Sequence, residues 1–353
     1  MARKSGLAAQ EKASSSRDKE EHIRCCLEGE VESSLTTRLE EFDLIINPLP
    51  EIDLEDVDTS CDFLGKEISA PFIISPMTGG SEVSARINTN LARAAQDLGV
   101  VMSVGSQRLA IENQSLSTSF QVRDAAPDIP LLANIGAIYL NYGYDLEECE
   151  RIVDMVDADA LVLYLNPMQK VFQATGRMNF GGLVDRIGHI CMHLSVPVIV
   201  KEVGFGLSSR AAVLLKEAGV SILDVAGAGG TSWVKITRYL KDDSFGAMGS
   251  CFDDWGIPTA DSLISVYGAV KDVPIIASGG IRNGIEMAKT LALGASFTGM
   301  ALPLLAPAID SSEAVKKKIE DMISELKIAM FGCGVTNLEQ LKKGLCIRRS
   351  GEL

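Results

Sequence analysis

Eight short apolar runs recur along the chain from Ala70 onward, and each is followed by a segment with helical spacing of apolar residues. The runs are Phe72–Ser75, Val100–Val104, Leu131–Ile135, Ala160–Leu165, Val198–Lys201, Ile222–Val225, Ile275–Ala277 and Phe297–Met300. Strands that are apolar throughout are typical of a parallel sheet buried on both faces. Eight strand–helix units in about 250 residues match the count and size of a (β/α)8 barrel. The sequence therefore predicts an α/β fold of the TIM-barrel type. An open doubly wound sheet would want a GxGxxG turn and a following acidic residue, and neither is evident.

The segments between these runs predict helices, and the rest of the chain predicts a tail and an arm. The predicted helices are Glu82–Leu98, Leu116–Ala126, Leu146–Val156, Gly182–Leu194, Ser208–Ala218, Thr259–Val270, Gly284–Leu293 and Ser312–Met330. Residues 1–21 are expected to be a flexible tail, because Met1–Ser16 is small and polar. Residues 22–353 are expected to form one domain, with an N-terminal arm at 22–69 and the barrel at 70–341. Short β-like runs in the arm are expected to close the barrel bottom, and the long loop 227–258 is expected to be functional.

Charge and composition exclude several classes of function. The net charge of −14 argues against broad nucleic-acid binding and against an anionic membrane surface. No run reaches the roughly 18 apolar residues of a membrane span, and the N-terminus has no apolar segment of a secretory signal. The eight cysteines show no paired CxxC spacing, so we expect reduced thiols in a cytoplasmic protein and no metal held by them.

In a barrel of this kind the chemistry lies where the strands end. Nearly every predicted strand end offers a hydroxyl, an amide or a cation, and acidic groups are nearly absent. The groups in question belong to Thr78, Ser106, Gln107, Arg108, Asn134, Asn166, Gln169, Lys170, Lys201, Thr231 and Ser278. Such a rim suits a large polyanionic ligand, which means a phosphorylated cofactor, a diphosphate or both.

Three of these strand ends admit more than one interpretation. Gly279 and Gly280 precede a predicted helix start, which suits phosphate binding, although a plain turn between strand and helix also uses glycine. Lys201 closes an apolar strand; it can hold the pyrimidine edge of a flavin, form a Schiff base, contact a phosphate, or pair with Glu202 in the core. Arg108 suits a diphosphate clamp by its planar fork, and a rim salt bridge is the alternative.

The motifs at these positions carry a family resemblance. In order they are MTGG, GSQR, ANIG, LNPMQ, VKEVG, AGAGGTSW, WGIPTA, SGGIR and GMALPLL, and they extend over about Glu28 to Leu341. This series closely resembles the type 2 isopentenyl-diphosphate isomerases. The resemblance implies an FMN-dependent TIM-barrel enzyme that interconverts isopentenyl and dimethylallyl diphosphate with reduced FMN as the acid–base cofactor. It also implies NADPH as the reductant and a homo-oligomer, either a tetramer or an octamer.

The resemblance also implies roles for individual residues. Those expected to bind FMN are Ser75, Pro76, Met77, Thr78, Ser106, Asn134, Lys201, Thr231, Gly279, Gly280, Arg282, Ala301 and Leu302. Those expected to bind the substrate are Arg17, Lys19, His22, Ser106, Gln107, Arg108, Asn166, Gln169 and Lys170. Gln169 is expected to assist the proton transfer and is the catalytic candidate. Ala226 stands where some relatives place a serine.

Three positions depart from the pattern of the resembled family. Asp18 occupies the place of an arginine four residues before His22, and we expect Arg17 to serve instead. Tyr164 stands where a histidine is common, and Lys170 replaces the glutamate that binds Mg²⁺. Because a magnesium ion accepts no ammonium ligand, we expect Lys170 itself to neutralise the diphosphate, and no residue is assigned to a metal. Two alternatives stay open: a Mg²⁺ held by substrate oxygens and water, or an altered paralogue acting on another prenyl or phosphorylated substrate.

Three rival functions share the predicted fold. An FMN-dependent oxidoreductase, such as a 2-hydroxy-acid oxidase, needs a histidine base at a strand end, and none is found there; His189 and His193 lie in a predicted helix. A second rival would use Cys251, whose loop is similar to that of the inosine-monophosphate dehydrogenases, although an inert buried thiol is favoured. A third would bind FMN without catalysis, as a sensor or scaffold.

Overall fold

The computed structural model describes residues 19–173, 178–240 and 249–351, and in it the eight predicted strands form a closed parallel barrel. In chain order they are β1 (Phe72–Ile74), β2 (Val101–Ser103), β3 (Leu131–Gly136), β4 (Ala160–Tyr164), β5 (Val198–Lys201), β6 (Ile222–Asp224), β7 (Ile275–Ser278) and β8 (Phe297–Met300). Each strand pairs in parallel with the next, and β8 pairs with β1 to close the ring. The predicted TIM barrel is confirmed.

Helices surround the barrel, and seven of the eight predicted helices are found, together with further ones that were not predicted. The α-helices are residues 19–28, Glu82–Leu98, Arg108–Glu112, Leu146–Val156, Pro167–Gln173, Leu183–His193, Ser209–Glu217, Trp233–Leu240, Thr259–Ala269, Gly284–Ala292, Leu302–Asp310, Ser312–Gly332 and Leu338–Lys342. Short 3-10 helices are Leu39–Glu41, Leu54–Asp56, Gln114–Ser119, Arg123–Ala125 and Ala137–Tyr142. The part of the predicted tail that the structure describes, residues 19–21, is helical and begins the helix at 19–28.

The α-helix predicted at Leu116–Ala126 is wrong, because two 3-10 turns occupy that segment. The hydroxyl of Ser119 donates to Leu116 O at 2.7 Å and accepts from Gly80 N at 2.8 Å. A serine side chain that bonds nearby backbone competes with the helical hydrogen-bond ladder. The next residue, Phe120, is fully buried against Gly79, so tertiary packing overrides the helical spacing here.

The lower half of the barrel interior is an apolar layer. Its members are Ile73, Val101, Leu132, Ala160, Val162, Ile199, Ile222, Ile276 and Phe297. The hairpin formed by Cys61–Phe63 and Lys66–Ile68 adds Phe63 and Ile68 to this layer. The rings of Phe63 and Phe297 lie 4.9 Å apart in an edge-on arrangement. The expectation that β-like runs in the arm close the barrel bottom is therefore confirmed.

The N-terminal arm lies against the long loop that follows β6. Val31 packs with Ile236, and its carbonyl accepts a hydrogen bond from Ser232 N at 2.7 Å. The amide of Ser33 donates to Gly230 O, also at 2.7 Å. The arm thus contacts the barrel of its own chain, at the end where the strands finish.

The chain returns near its C-terminus to the arm, where Ile347–Arg349 pairs antiparallel with Phe42–Leu44. Among the helices of the described residues, none combines the length and the apolar character that crossing a membrane requires.

Candidate active site at the mouth of the barrel

A cavity of about 660 Å³ opens where the strands end, and most predicted site residues line it. Those that do are Lys19, His22, Ser75, Pro76, Met77, Thr78, Ser106, Arg108, Asn134, Asn166, Gln169, Lys170, Lys201, Thr231, Gly279, Gly280, Arg282, Ala301 and Leu302. Gln107 does not line the cavity, and Arg17 lies outside the described residues. The sequence-predicted constellation is thus brought together in one place.

Polar side chains reach the cavity because successive strand residues alternate between the two faces of the sheet. Ile199 and Ile276 belong to the apolar layer, so Lys201 and Ser278, two residues further on, face the same interior one level higher. The apolar layer therefore forms the floor of the cavity, and a polar layer at the strand ends lines the cavity above it.

Three buried polar atoms in this layer have no hydrogen-bond partner within the described parts of the chain. They are Ser75 Oγ, Asn134 Oδ1 and Asn166 Oδ1. A buried polar atom left without a partner costs about 1–3 kcal/mol, so such atoms are normally satisfied. All three residues line the cavity. The arrangement indicates a ligand that both donates and accepts hydrogen bonds.

The glycine turn after β7 forms a close-packed cradle. Gly279 and Gly280 have φ angles of +99° and +77°, a region that favours glycine. A Cβ added to Gly279 would lie 2.1 Å from Gly227 O, and one added to Gly280 would lie 2.4 Å from Gly229 O. The helix Gly284–Ala292 follows directly, with the Asn283 side chain accepting from Glu286 N at 2.9 Å as its cap. Backbone N–H groups near such a helix start favour a bound anion.

Lys201 is held in place by oxygen atoms around its ammonium group. Its Nζ donates to Glu202 O at 2.5 Å and lies 3.8 Å from Asp224 Oδ2. The other oxygen of Asp224 accepts hydrogen bonds from Ser278 Oγ at 2.6 Å and from Ala226 N at 3.1 Å. Burial raises the pKa of the Asp224 carboxyl, while Lys201 opposes that rise. The structure therefore presents a fixed cation to the cavity, supported from below by a buried carboxylate.

The Glu202 side chain does not pair with Lys201, so the interpretation of a lysine paired with that carboxylate in the core is wrong. Glu202 Oε2 instead accepts from the backbone N–H groups of Val203, Gly204 and Phe205 at 2.6, 2.9 and 2.6 Å. Burial nevertheless raises the pKa of Glu202 to about 7. This carboxyl shapes the turn that follows β5.

Arg108 and Lys170 form a basic cluster around the ring of Tyr139. The guanidinium carbon of Arg108 lies 5.7 Å from the ring centroid, and Lys170 Nζ lies 5.1 Å from it. Lys170 Nζ also donates to the Tyr139 hydroxyl at 3.1 Å, and Lys170 is only 5% exposed. Arg108 also forms a partly exposed salt bridge with Glu112 at 2.5 Å, so the alternative interpretation of a rim salt bridge is confirmed. Two cations thus share one aromatic ring in the wall of the cavity.

Comparisons with known proteins agree on the family. The FMN-dependent dehydrogenase family matches residues 28–118 and 164–348. The isopentenyl-diphosphate delta-isomerase of a Nostoc species is 46% identical over 333 residues, covering 94% of this chain and 95% of that protein. That of a Synechococcus species is 49% identical over 315 residues, covering 89% and 90%. The chain belongs to the type 2 isopentenyl-diphosphate delta-isomerase family.

Solved structures of lower identity share the fold of this isomerase family member. A mandelate oxidase variant with a C4a-hydroxyl FMN adduct has a TM-score of 0.66 at 19% identity, covering 95% of this chain and 98% of that one. A putative lactate oxidase of Pediococcus acidilactici has a TM-score of 0.65 at 17% identity, with coverages of 90% and 86%. At these identities the likeness concerns the barrel alone.

The residues of this isomerase family member fit FMN, the cofactor of its family. The glycine cradle offers backbone N–H groups and space where a Cβ would intrude, which suits a phosphate. The unpartnered atoms of Ser75 and Asn134 suit the mixed donors and acceptors of an isoalloxazine ring. Lys201 adds a fixed cation, which suits an electron-rich ring edge.

Gln107 differs from the role that the family resemblance implies. Its side chain is fully buried and donates to Ile152 O at 2.8 Å, while its Oε1 accepts from Asn134 N at 2.9 Å. Ser106 and Arg108 line the cavity, so the residue between them faces the other way. Gln107 therefore lies outside the cavity and holds the backbone of the cavity residue Asn134 by a hydrogen bond.

The sequence analysis did not identify Tyr139. It named Tyr164 only as a position that differs from the pattern of the resembled family, without giving it a role. Tyr139 lies in the 3-10 helix Ala137–Tyr142 after β3, where no apolar periodicity marks it. Tyr164 lies at the end of β4 and donates from its hydroxyl to Ser106 Oγ at 3.3 Å. Burial raises the pKa of Tyr164 to about 12, so it stays protonated. The sequence did indicate that Tyr164 faces the barrel interior, because it lies two residues beyond the inward-facing Val162.

Two amide side chains, Asn166 and Gln169, form a hydrogen bond in the cavity wall near Lys170. Asn166 Nδ2 donates to Gln169 Oε1 at 2.7 Å, at the start of the helix Pro167–Gln173. Both residues are buried and line the cavity.

Within the described residues no group of three or more His, Cys, Asp or Glu side chains is placed to hold a metal ion.

Proposed function

We propose that this protein interconverts isopentenyl diphosphate and dimethylallyl diphosphate with reduced FMN. The observation that carries the proposal is one cavity that contains both an FMN-fitting surface and a separate basic cluster. A flavin phosphate at the glycine turn leaves Arg108 and Lys170 for a second polyanion. The substrate of a 2-hydroxy-acid oxidase carries a single carboxylate, so such an enzyme would not need space for a diphosphate.

The cofactor would be held by residues at the ends of seven of the eight strands, or in the loops that follow them. Gly279, Gly280 and Arg282 suit its phosphate, and Lys201 suits its ring. The others assigned to it are Ser75, Pro76, Met77, Thr78, Ser106, Asn134, Thr231, Ala301 and Leu302. When bound, reduced FMN supplies the acid–base chemistry that moves the double bond, since no ordinary side chain readily protonates an unactivated alkene.

The chain's own residues bind and orient the substrate. We propose that Arg108 and Lys170 hold the diphosphate, with Lys19 and His22 from the helix at 19–28 and Arg17 before it. Gln169, fixed through its hydrogen bond with Asn166, would face the prenyl carbons and assist the proton transfer. Ser106 would contact the ligand directly, whereas Gln107 would act only through the backbone of Asn134.

We propose that Lys170 takes the place of Mg²⁺ in this protein. Its ammonium group supplies a positive charge from the wall of the cavity, and it replaces the carboxylate that would hold a metal in the resembled family. The only acidic residue that lines the cavity, among the described ones, is Glu21. A divalent cation prefers several carboxylate or phosphate oxygens, so the protein offers it little beyond the substrate itself.

Further properties follow from the family resemblance and belong to the same proposal. We propose NADPH as the reductant of FMN, a homo-oligomer of four or eight chains, and a cytoplasmic location. The eight free cysteines support a reducing compartment. Of the flexible tail expected over residues 1–21, residues 1–18 lie outside the described residues and residues 19–21 are helical. We also propose one domain over 22–353. That domain would consist of an arm at 22–69 and a barrel at 70–341.

The proposal is tested by anaerobic incubation with FMN, a reductant and isopentenyl diphosphate, with and without EDTA. Dimethylallyl diphosphate is expected in both samples and is absent when the reductant is omitted. Product only without EDTA would keep the isomerase and reject the role of Lys170 as a metal substitute. Bound flavin with no product in either sample would reject the isomerase activity.

A further inference from the structure

Tyr139 lies between the two cations of the basic cluster. It is 4% exposed, and its ring is 5.5 Å from that of Tyr144. A Cβ added to Gly136 would approach Tyr139 Cε2 to 3.1 Å, so the ring is packed closely on that side as well. The packing therefore holds the Tyr139 ring in one position, and the ring offers a fixed surface to the side chains that contact it.

Both cations contact this fixed ring in different ways. Lys170 combines a hydrogen bond to the hydroxyl with a position over the ring, whereas Arg108 only lies over the ring. Cations are attracted to the negative face of an aromatic ring, and the attraction grows when water is excluded. The ring thus has two cations near it, 5.7 Å and 5.1 Å from its centroid, and Arg108 is also paired with Glu112.

We propose that Tyr139 is a positioning residue that holds Lys170 and Arg108 together as a metal-free clamp for a diphosphate. The proposal rests on the proposed function and deepens it, because it assigns the neutralisation of the diphosphate to a tyrosine-supported cation pair. The hydroxyl directs the flexible lysine side chain, and the ring supports the guanidinium plane. A clamp ordered before the ligand arrives loses less side-chain entropy on binding.

The direct test is calorimetric titration of the FMN-loaded protein with inorganic pyrophosphate in EDTA. Tyr139→Phe keeps the ring and removes the hydroxyl, so binding is expected to weaken about three- to tenfold. Tyr139→Leu removes the ring as well, and binding is expected to weaken at least about tenfold. Tyr144→Phe removes a hydroxyl from the neighbouring ring outside the cavity and is expected to bind as the wild type does. Unchanged FMN binding in each variant shows that the barrel is folded.

A double-mutant cycle separates positioning from a general effect on structure. Because the hydroxyl acts through Lys170, Tyr139→Phe is expected to have no further effect in a Lys170→Met background. If Tyr139 holds the clamp, Tyr139→Phe is also expected to raise the KM for isopentenyl diphosphate and to leave kcat nearly unchanged. The same loss in both backgrounds, or wild-type affinity in both Tyr139 variants, would overturn the proposal.

The clamp and the proposed reaction can fail separately. If the protein binds pyrophosphate with the expected pattern but forms no dimethylallyl diphosphate, the clamp stands and the proposed substrate is wrong. If the isomerisation proceeds and the Tyr139 variants keep the wild-type KM, the proposed function stands and the clamp is wrong.

Discussion

Replacement of Gly279 by alanine tests the glycine cradle that we propose binds the FMN phosphate. Gly279 has a φ of +99°, and a Cβ there would lie 2.1 Å from Gly227 O and 2.6 Å from Gly227 N. Both atoms belong to the backbone of the loop after β6, which is itself hydrogen-bonded to Ser278 O. The clash cannot be relieved by turning a side chain, so the two loops must move apart.

The magnitude follows from two separate costs. A non-glycine residue in the left-handed region costs about 1–2 kcal/mol. Forcing an extra carbon into a packed region costs typically about 1–3 kcal/mol more. We therefore expect Gly279→Ala to lower the free energy of unfolding by about 2–5 kcal/mol. Since moving the loops also moves the N–H groups of the cradle, FMN affinity is expected to fall at least about tenfold.

Gly268 provides a matched control for the same substitution. It lies exposed in the helix Thr259–Ala269, and a Cβ added there meets no atom within 4 Å. Gly268→Ala is expected to raise the free energy of unfolding by up to about 1 kcal/mol, because alanine is the better helix former. Urea unfolding and FMN titration of both variants give the comparison. If Gly279→Ala unfolded and bound FMN like Gly268→Ala, the cradle described for the glycine turn would be refuted.

The two buried acids near Lys201 give further predictions. Asp224→Asn leaves a buried ammonium without its carboxylate, so urea unfolding is expected to show a loss of about 3 kcal/mol, and a loss near zero would show that the pair is uncoupled. Burial raises the pKa of Glu202 to about 7 from the 4.5 of an unperturbed glutamate, so the folded state binds this proton more tightly than the unfolded chain does. The stability from this carboxyl is therefore full below about pH 4.5 and lost as the pH rises through 7, a change of about 3 kcal/mol. Glu202→Gln is expected to remove that part of the stability–pH profile, and matching profiles would contradict the shift.

The strands were predictable because burial on both faces leaves a continuous apolar run, and all eight were found within one or two residues. The helix Leu302–Asp310 was not predicted, since Pro303 and Pro307 interrupt its pattern. Pro303 lies in the first turn, where a missing N–H matters little, and the helix tolerates Pro307 within its buried surroundings. Local rules describe these prolines as breaks, and tertiary packing decides otherwise.

The site was predictable where a polar residue closes an apolar strand, as Lys201 does. It was not predictable beyond the strand ends, where the direction of each side chain depends on the local turn. Gln107 shows the limit, because Ser106 and Arg108 enter the cavity and the residue between them points away. Tyr139 shows the opposite case, a cavity residue in a 3-10 turn with no periodic signal. The support beneath Lys201 was missed because Asp224 lies inside the predicted run Ile222–Val225, whereas the strand in the structure ends at Asp224.

Two of the three positions at which this chain is expected to depart from the resembled family, Tyr164 and Lys170, line the cavity, and the third, Asp18, lies outside the described residues. Lys170 contacts Tyr139, and Tyr164 contacts Ser106 while interacting electrostatically with both Tyr139 and Arg108. We propose that these two changes alter how an anion is neutralised and leave the surface proposed for the cofactor in place. We propose that the flavin chemistry of the family is retained and that side-chain cations hold the diphosphate. Pyrophosphate binding should then be unaffected by EDTA, whereas EDTA should weaken it in a metal-dependent relative.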